Sequence, residues 1–259
     1  MSFYFSLSII LPTLNERENL KILIPEIVDH LSNNEKIKYE IIVIDDNSND
    51  GTDELINSLK NTINNLSLKI RKDKNSLPLS ILEGIKYSNN EYVMWLDADG
   101  SMPARDIKRL VDVQVQNLDS VIVGSRFVEG GGFKGTVLNE ENKFRKALLN
   151  VYNSNDSVIA MFLSLLFNYL LSLLSSTKVK DMTSGFIIGP KKEFKEDSFL
   201  KANYGDYFVY LMKDLEAKNT SIIEVGYKCQ TRISGVSKTG NSLLQLFKLG
   251  VPYIKAALK

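Results

Sequence analysis

A single cysteine, a single histidine and a single tryptophan stand in 259 residues. Cys229 alone cannot close an internal disulfide, and His30 alone cannot supply a His-based zinc site or a Ser-His-Asp triad. A basic excess is missing too: 32 Lys+Arg against 31 Asp+Glu leave a net charge of +1, which excludes the spread positive field of a general nucleic-acid binder. Low-complexity and long polar tracts are absent, and 44% hydrophobic with 24% charged residues is the balance of a folded chain. Chemistry is left to carboxylates, hydroxyls, Lys/Arg, or a metal held by oxygen.

The N-terminal apolar run has no Lys or Arg before it and ends at Pro12, so it reads as a buried strand rather than a signal peptide. With the lone cysteine, this points to a cytoplasmic, reducing compartment. Strands are predicted over Leu7–Leu11, Tyr39–Ile44, Leu68–Arg71, Tyr92–Leu96 and Ser120–Val123. Helices are predicted over Glu18–Leu31, Thr52–Leu59, Ser80–Tyr87 and Ala104–Gln116. This alternation describes βαβ units and a mostly parallel α/β sheet flanked by helices, in one domain spanning 1–259. Such sheets bind ligands at the carboxyl ends of their strands.

Polar clusters stand at those ends: Pro12, Thr13, Asn15 and Glu16; Asp45, Asp46, Asn47 and Ser48; Asp97, Ala98, Asp99 and Gly100; Gly124, Ser125 and Arg126. Each alone is explained by turn and helix-cap chemistry, but four on one rim are not. Asp45, Asp46 and Asp50 crowd like charges that need a donor or cation. Asp97 and Asp99 follow an apolar strand and can converge on one hard cation, Mg²⁺ or Mn²⁺, whose remaining positions suit substrate phosphates.

Ile9–Leu20, Val43–Thr52 and Trp95–Pro103 together resemble family 2 glycosyltransferases of the GT-A fold. Gly124–Phe127, Asp181–Phe186 and Arg232–Lys238 resemble the later motifs of the dolichol-phosphate mannosyltransferase-like subgroup. The resemblance implies transfer of a sugar, with inversion, from a GDP- or UDP-linked donor to a polyisoprenyl phosphate. Pro12, Thr13, Asn15, Glu16, Asp45, Asp46, Ser48 and Ala98 would serve the nucleotide sugar, Asp45 accepting from the base. Asp97 and Asp99 would carry the metal and diphosphate, while Arg126, Arg232 and Lys238 would supply positive charge at the phosphates. Ser184, Gly185 and Arg145 would serve the sugar and acceptor. Asp206 stands where related inverting transferases place a base, and equally where it would cap the helix Tyr207–Ala217. Lys74–Pro78 replaces a Gly-rich turn of relatives, and Ser101 a Gln near the metal. Two other readings stand beside this one: transfer to a saccharide hydroxyl, with Asp206 as base, and a sugar-nucleotide-binding protein without turnover.

Ser157–Thr177 holds no charged residue, yet Ser164, Asn168, Ser172 and Ser175 or Ser176 draw a polar stripe along it. The stripe fits a membrane-interfacial helix, within a segment over 143–177, or a helix buried on the domain, better than a membrane crossing. A helical tail over 240–259 carries Lys248, Lys255 and Lys259 on one side and suits an anionic lipid surface or packing on the domain. The expected location is the cytoplasmic face of a membrane, with a small membrane anchor protein as a candidate partner.

Overall fold

The computed structural model describes residues 5–32, 36–132, 157–230 and 243–259. Seven strands form one sheet: β1 (Phe5–Thr13), β2 (Ile37–Asp45), β3 (Leu66–Ile70), β4 (Tyr92–Trp95), β5 (Val121–Ser125), β6 (Ile187–Pro190) and β7 (Ile222–Gly226), in the order β3-β2-β1-β4-β6-β5-β7. All neighbours run parallel except around β6, which is antiparallel to both β4 and β5. The expected mostly parallel α/β sheet is present, with two strands beyond the five predicted, β6 and β7, each too short to show a clear period.

Alternation along β1 distributes the core to two faces. Leu7, Ile9 and Leu11 pack under α1 (Arg17–Ser32) and α4 (Ala104–Gln116), with Leu23, Ile27, Ile107 and Leu110. Ile10 points the other way, with Ile42, Ile44 and Trp95, toward α3 (Leu77–Tyr87) and α7 (Tyr207–Ala217). Residues buried on both faces explain the near-continuous Ile/Val/Leu runs. Two short helices, α2 (Thr52–Leu59) and α6 (Asp197–Leu200), complete the flanks, with α5 (Ser157–Leu174) and α8 (Leu243–Leu258). β3 begins two residues earlier than predicted, because Asn65 receives the Ile41 N–H at 2.8 Å and leads the strand into register. Likewise α3 starts at Leu77, with Pro78 in its first turn, where a missing N–H costs nothing.

Helix α5 forms with its polar stripe turned inward. Asn168 is buried, while Leu166, Tyr169 and Leu173 are 53%, 65% and 64% exposed. An apolar outward face is the reverse of an ordinary surface helix. Among the described residues, no helix is long and apolar enough to cross a membrane. Residues 143–156 of the segment expected at the interface lie outside the described residues. The tail forms α8 and docks on α7, where Lys213 Nζ donates to the carbonyls of Ala257 at 2.7 Å and Ala256 at 3.4 Å, caps that suit a helix C-terminus.

Candidate active site

A cavity of about 280 Å³ opens at the carboxyl ends of β1, β2 and β4. Pro12, Thr13 and Glu16 line it from the first loop, Asp46 from the second, and Asp97, Ala98 and Asp99 from the fourth; Asn75, Ser76, Leu77 and Ser80 close one side, and Asn203 and Tyr204 form a lip. Register explains the convergence. Trp95 pairs with Ile10, so Asp97 and Pro12, each two residues further on, leave the sheet at the same height.

The first two loops clasp each other. Asn15, at φ 56°, donates its N–H to Ser48 Oγ at 2.8 Å and accepts from Asn49 N at 3.0 Å through Oδ1. Asp50 Oδ2 accepts the Arg17 N–H at 2.9 Å. Ser48 in turn donates its N–H and hydroxyl to the two oxygens of Asp45, at 2.7 and 2.6 Å. Asp45, Ser48 and Asn15 thus build the frame, and Asp46 is the carboxylate of the pair that reaches the cavity wall. Asp46 is buried against Arg71 in an ion pair and accepts from Ser76 N at 2.7 Å and Ser80 Oγ at 2.8 Å. The like charges noted in the sequence are therefore compensated, Asp46 by a cation and Asp45 by Ser48. Lys74–Pro78, without its Gly-rich turn, still contributes Asn75, Ser76 and Leu77 to the wall.

Asp97 and Asp99 face the cavity with different surroundings. Asp99 is buried, and its Oδ1 accepts the Ser101 N–H at 2.8 Å; Asp97 is half-buried. Burial first, and the charge of Asp97 next, push the Tyr207 hydroxyl well above the ordinary tyrosine range. Burial pushes up Tyr227 and Tyr253 as well, and both also feel Asp97 and Arg126. The carboxylate of one motif and the guanidinium of another therefore act on the same buried hydroxyls, which stay neutral at working pH. Among the described residues, no three His, Cys, Asp or Glu converge as a metal cage. Two oxygen-donor side chains on an open cavity fit a hard cation that completes its shell with water and substrate phosphate.

Arg126 follows β5 and pairs with Asp181. Its Nε and Nη2 donate to the two Asp181 oxygens at 2.8 and 2.6 Å, its N–H donates to Asp181 at 2.9 Å, and Nη2 also donates to Thr183 Oγ1 at 2.8 Å. Burial works against the charged guanidinium, but Asp181's charge and hydrogen bonds outweigh it and hold Arg126 protonated. Ser184 donates its hydroxyl to the Gly124 carbonyl, and Gly185, at φ 70°, occupies the left-handed conformation that glycine tolerates, next to the Tyr207 hydroxyl.

Asp206 precedes α7 without capping it. Its carboxylate is 1% exposed and turns back to accept the N–H of Asn203 at 3.0 Å and of Tyr204 at 2.7 Å, holding the lip of the cavity. Arg145, Arg232 and Lys238 lie outside the described residues. Gln230, two residues before Arg232 in the chain, donates its N–H to the Ser101 carbonyl at 2.9 Å, close to the Asp99 turn. Sequence reasoning missed Arg71, Ser80, Asn203 and Tyr204. Arg71 directly follows β3 and could have been flagged as the cation that two adjacent aspartates require.

Comparison with known proteins bears on the family and the fold. Over 124 residues the chain is 34% identical to the dolichol-phosphate mannosyltransferase of Pyrococcus furiosus, a match covering 48% of this chain and 34% of that protein. Over 127 residues it is 33% identical to the poly(ribitol-phosphate) beta-N-acetylglucosaminyltransferase of Staphylococcus aureus, covering 48% and 38%. Over 152 residues it is 30% identical to the undecaprenyl-phosphate 4-deoxy-4-formamido-L-arabinose transferase of Aeromonas hydrophila, covering 57% and 45%. The chain thus matches less than half the length of these relatives. In three dimensions it resembles glucosyl-3-phosphoglycerate synthase from Mycobacterium tuberculosis, solved with Mn²⁺, uridine diphosphate and phosphoglyceric acid. The TM-score is 0.65 at 15% identity, over 98% of this chain and 78% of that one, a likeness of fold. The family model described as "Glycosyl transferase family 2" matches residues 8–195, and the chain belongs to that family.

Proposed function

We propose that the chain transfers one sugar, with inversion, from a GDP- or UDP-linked donor to a polyisoprenyl phosphate at a membrane surface. The observation that carries this reading is the convergence of Asp46, Asp97 and Asp99 on one cavity, a wall for a nucleotide and two carboxylates for its diphosphate. Thr13, Glu16, Ser76 and Ser80 enclose the nucleoside end. Asp97 and Asp99 would hold Mg²⁺ or Mn²⁺, which supplies charge neutralisation to the departing diphosphate. Arg126, kept charged by Asp181, stabilises phosphate at the acceptor end, where fixed cations help most because they need no reorganisation. Arg145, Arg232 and Lys238 are further candidates for that end.

An acceptor phosphate is ionised near neutral pH and needs no general base. The use of Asp206 to hold backbone N–H groups fits such an acceptor better than a saccharide hydroxyl. The outward apolar face of α5, with exposed Lys178 and Lys180 just past its end, fits a helix resting on an anionic lipid surface, where the isoprenoid chain would remain. Relatives named for dolichol phosphate and undecaprenyl phosphate support the same acceptor class.

The test is a donor screen. Radiolabelled GDP- and UDP-sugars are offered to the purified chain with a polyisoprenyl phosphate and Mn²⁺, and label is counted in the organic phase. Label from one donor, lost on chelation and regained with Mg²⁺ or Mn²⁺, is the expected result. Asp97→Ala and Asp99→Ala should each lower transfer by about 10²-fold or more with the fold intact. The absence of label from every donor overturns the acceptor assignment, and near-full activity in either variant overturns the metal site.

A further inference from the structure

Asn168 is a buried amide on a helix whose other face is Leu and Tyr. An amide in that position is costly unless bonded, and every polar atom of its side chain has a partner. Nδ2 donates to the Ser164 carbonyl one turn back, at 2.8 Å. Oδ1 lies 3.2 Å from Thr183 Oγ1. That hydroxyl accepts from Arg126 Nη2 at 2.8 Å and lies 3.1 Å from Asn168 Nδ2 as well, so it meets both ends of the Asn168 amide. A hydrogen-bonded chain therefore joins Arg126 through the Thr183 hydroxyl to the Asn168 amide and on to the Ser164 carbonyl.

The other side of the guanidinium is anchored in the sheet. Asp181 takes Nε and Nη2, and its backbone is held in turn by Glu224 of β7, whose carboxylate accepts the N–H of Lys180 at 2.9 Å and of Asp181 at 3.1 Å. The guanidinium plane is thus set by two supports, one on the rigid sheet and one on α5.

We propose that Asn168 is a positioning residue for Arg126, acting through the Thr183 hydroxyl, so that the seating of α5 determines how the guanidinium meets an anionic acceptor. The kinetic side of this rests on the acceptor role given to Arg126 above; the structural side does not. Whatever the outer face of α5 rests upon is one helix diameter from this relay.

Asn168→Leu and Thr183→Val each remove one link, while Thr183→Ser keeps the hydroxyl. The KM for polyisoprenyl phosphate is expected to rise about tenfold in the first two, as for a lost hydrogen bond to a charged network, with the donor KM changed less than about twofold. Thr183→Ser should restore the wild-type value, and the double variant should lose no more than either single one, since both cut the same chain. An unchanged acceptor KM, or donor and acceptor KM rising together, overturns the proposal. A second measurement needs no acceptor: the Arg126 Nε–H resonance should shift and exchange faster with water in Asn168→Leu. Wild-type protein that transfers nothing to polyisoprenyl phosphate, with that resonance responding, would sink the acceptor reading and sustain the relay. A resonance that does not respond sinks the relay whatever the acceptor.

Discussion

The hydroxyl of Tyr253, on the last helix, lies so close to Gly205 that a Cβ on the glycine would sit 2.1 Å from the oxygen. Gly205 belongs to the turn that Asp206 ties together and that carries Asn203 and Tyr204 to the cavity lip. Tyr253 also packs edge-on against Phe167 of α5, with ring centroids 5.9 Å apart. One side chain therefore joins the tail helix, α5 and the edge of the site.

Gly205→Ala should destabilise the chain by about 1–3 kcal/mol, the usual cost of overpacking, and should weaken donor binding by displacing the lip. Adding Tyr253→Phe removes the obstructing oxygen and should recover part of both losses. Urea unfolding and donor titration of the two variants check this; a double variant no better than Gly205→Ala would mean that the contact is not what matters.

Arg71 and Asp46 form an ion pair in which each side chain is only 6% exposed. Arg71→Met leaves a carboxylate buried without its cation, and stability should fall by about 3–5 kcal/mol. The donor KM should rise with it, because Ser76 and Ser80 are held by the same carboxylate. Denaturant midpoints within about 1 kcal/mol of wild type would show that water or another group had replaced the arginine.

Asp50 links the first two loops. Burial pushes its carboxyl up, but the Thr52 hydroxyl and the N–H groups of Arg17 and Thr52 outweigh burial and leave it below the ordinary aspartate range. A depressed folded-state value means that the carboxylate stabilises the fold above the unfolded-state value, and that this contribution is lost as pH falls through the folded-state value. Asp50→Asn should therefore melt below wild type at pH 7, and the gap should close as pH falls below about 4. A gap independent of pH would assign the effect to shape rather than charge.

Leu166 and Leu173 are more than half exposed, so changing them leaves the core intact. Leu166→Glu with Leu173→Glu should keep the melting temperature within a few degrees and cut flotation with phosphatidylglycerol vesicles about tenfold or more. Unaltered flotation would remove α5 from the membrane contact.

Much of the frame was legible from local pattern. Asp97 and Asp99 stood out because an apolar run ended in two carboxylates, and both line the cavity. Asn15 and Ser48 were legible as loop residues, but the bond between them was not, since they are 33 positions apart. The lip was hidden for a similar reason: Asn203 and Tyr204 carry no periodic signal, and they reach the cavity because Asp206 folds the chain back on itself.

The order of apolar runs by itself determined the layered sheet and which loop ends share a rim, because burial on two faces demands continuous Ile, Val and Leu while caps and turns demand polar residues. Only the tertiary structure decided that β6 enters antiparallel between β4 and β5, and that Asp181 and Thr183 lie beside Arg126 across 55 and 57 positions of sequence. It alone decided, too, that the polar stripe of α5 faces inward, with Asn168 on Thr183 and the leucines outside. A helical period records which side is polar; what that side meets is set by the partners that long-range packing supplies.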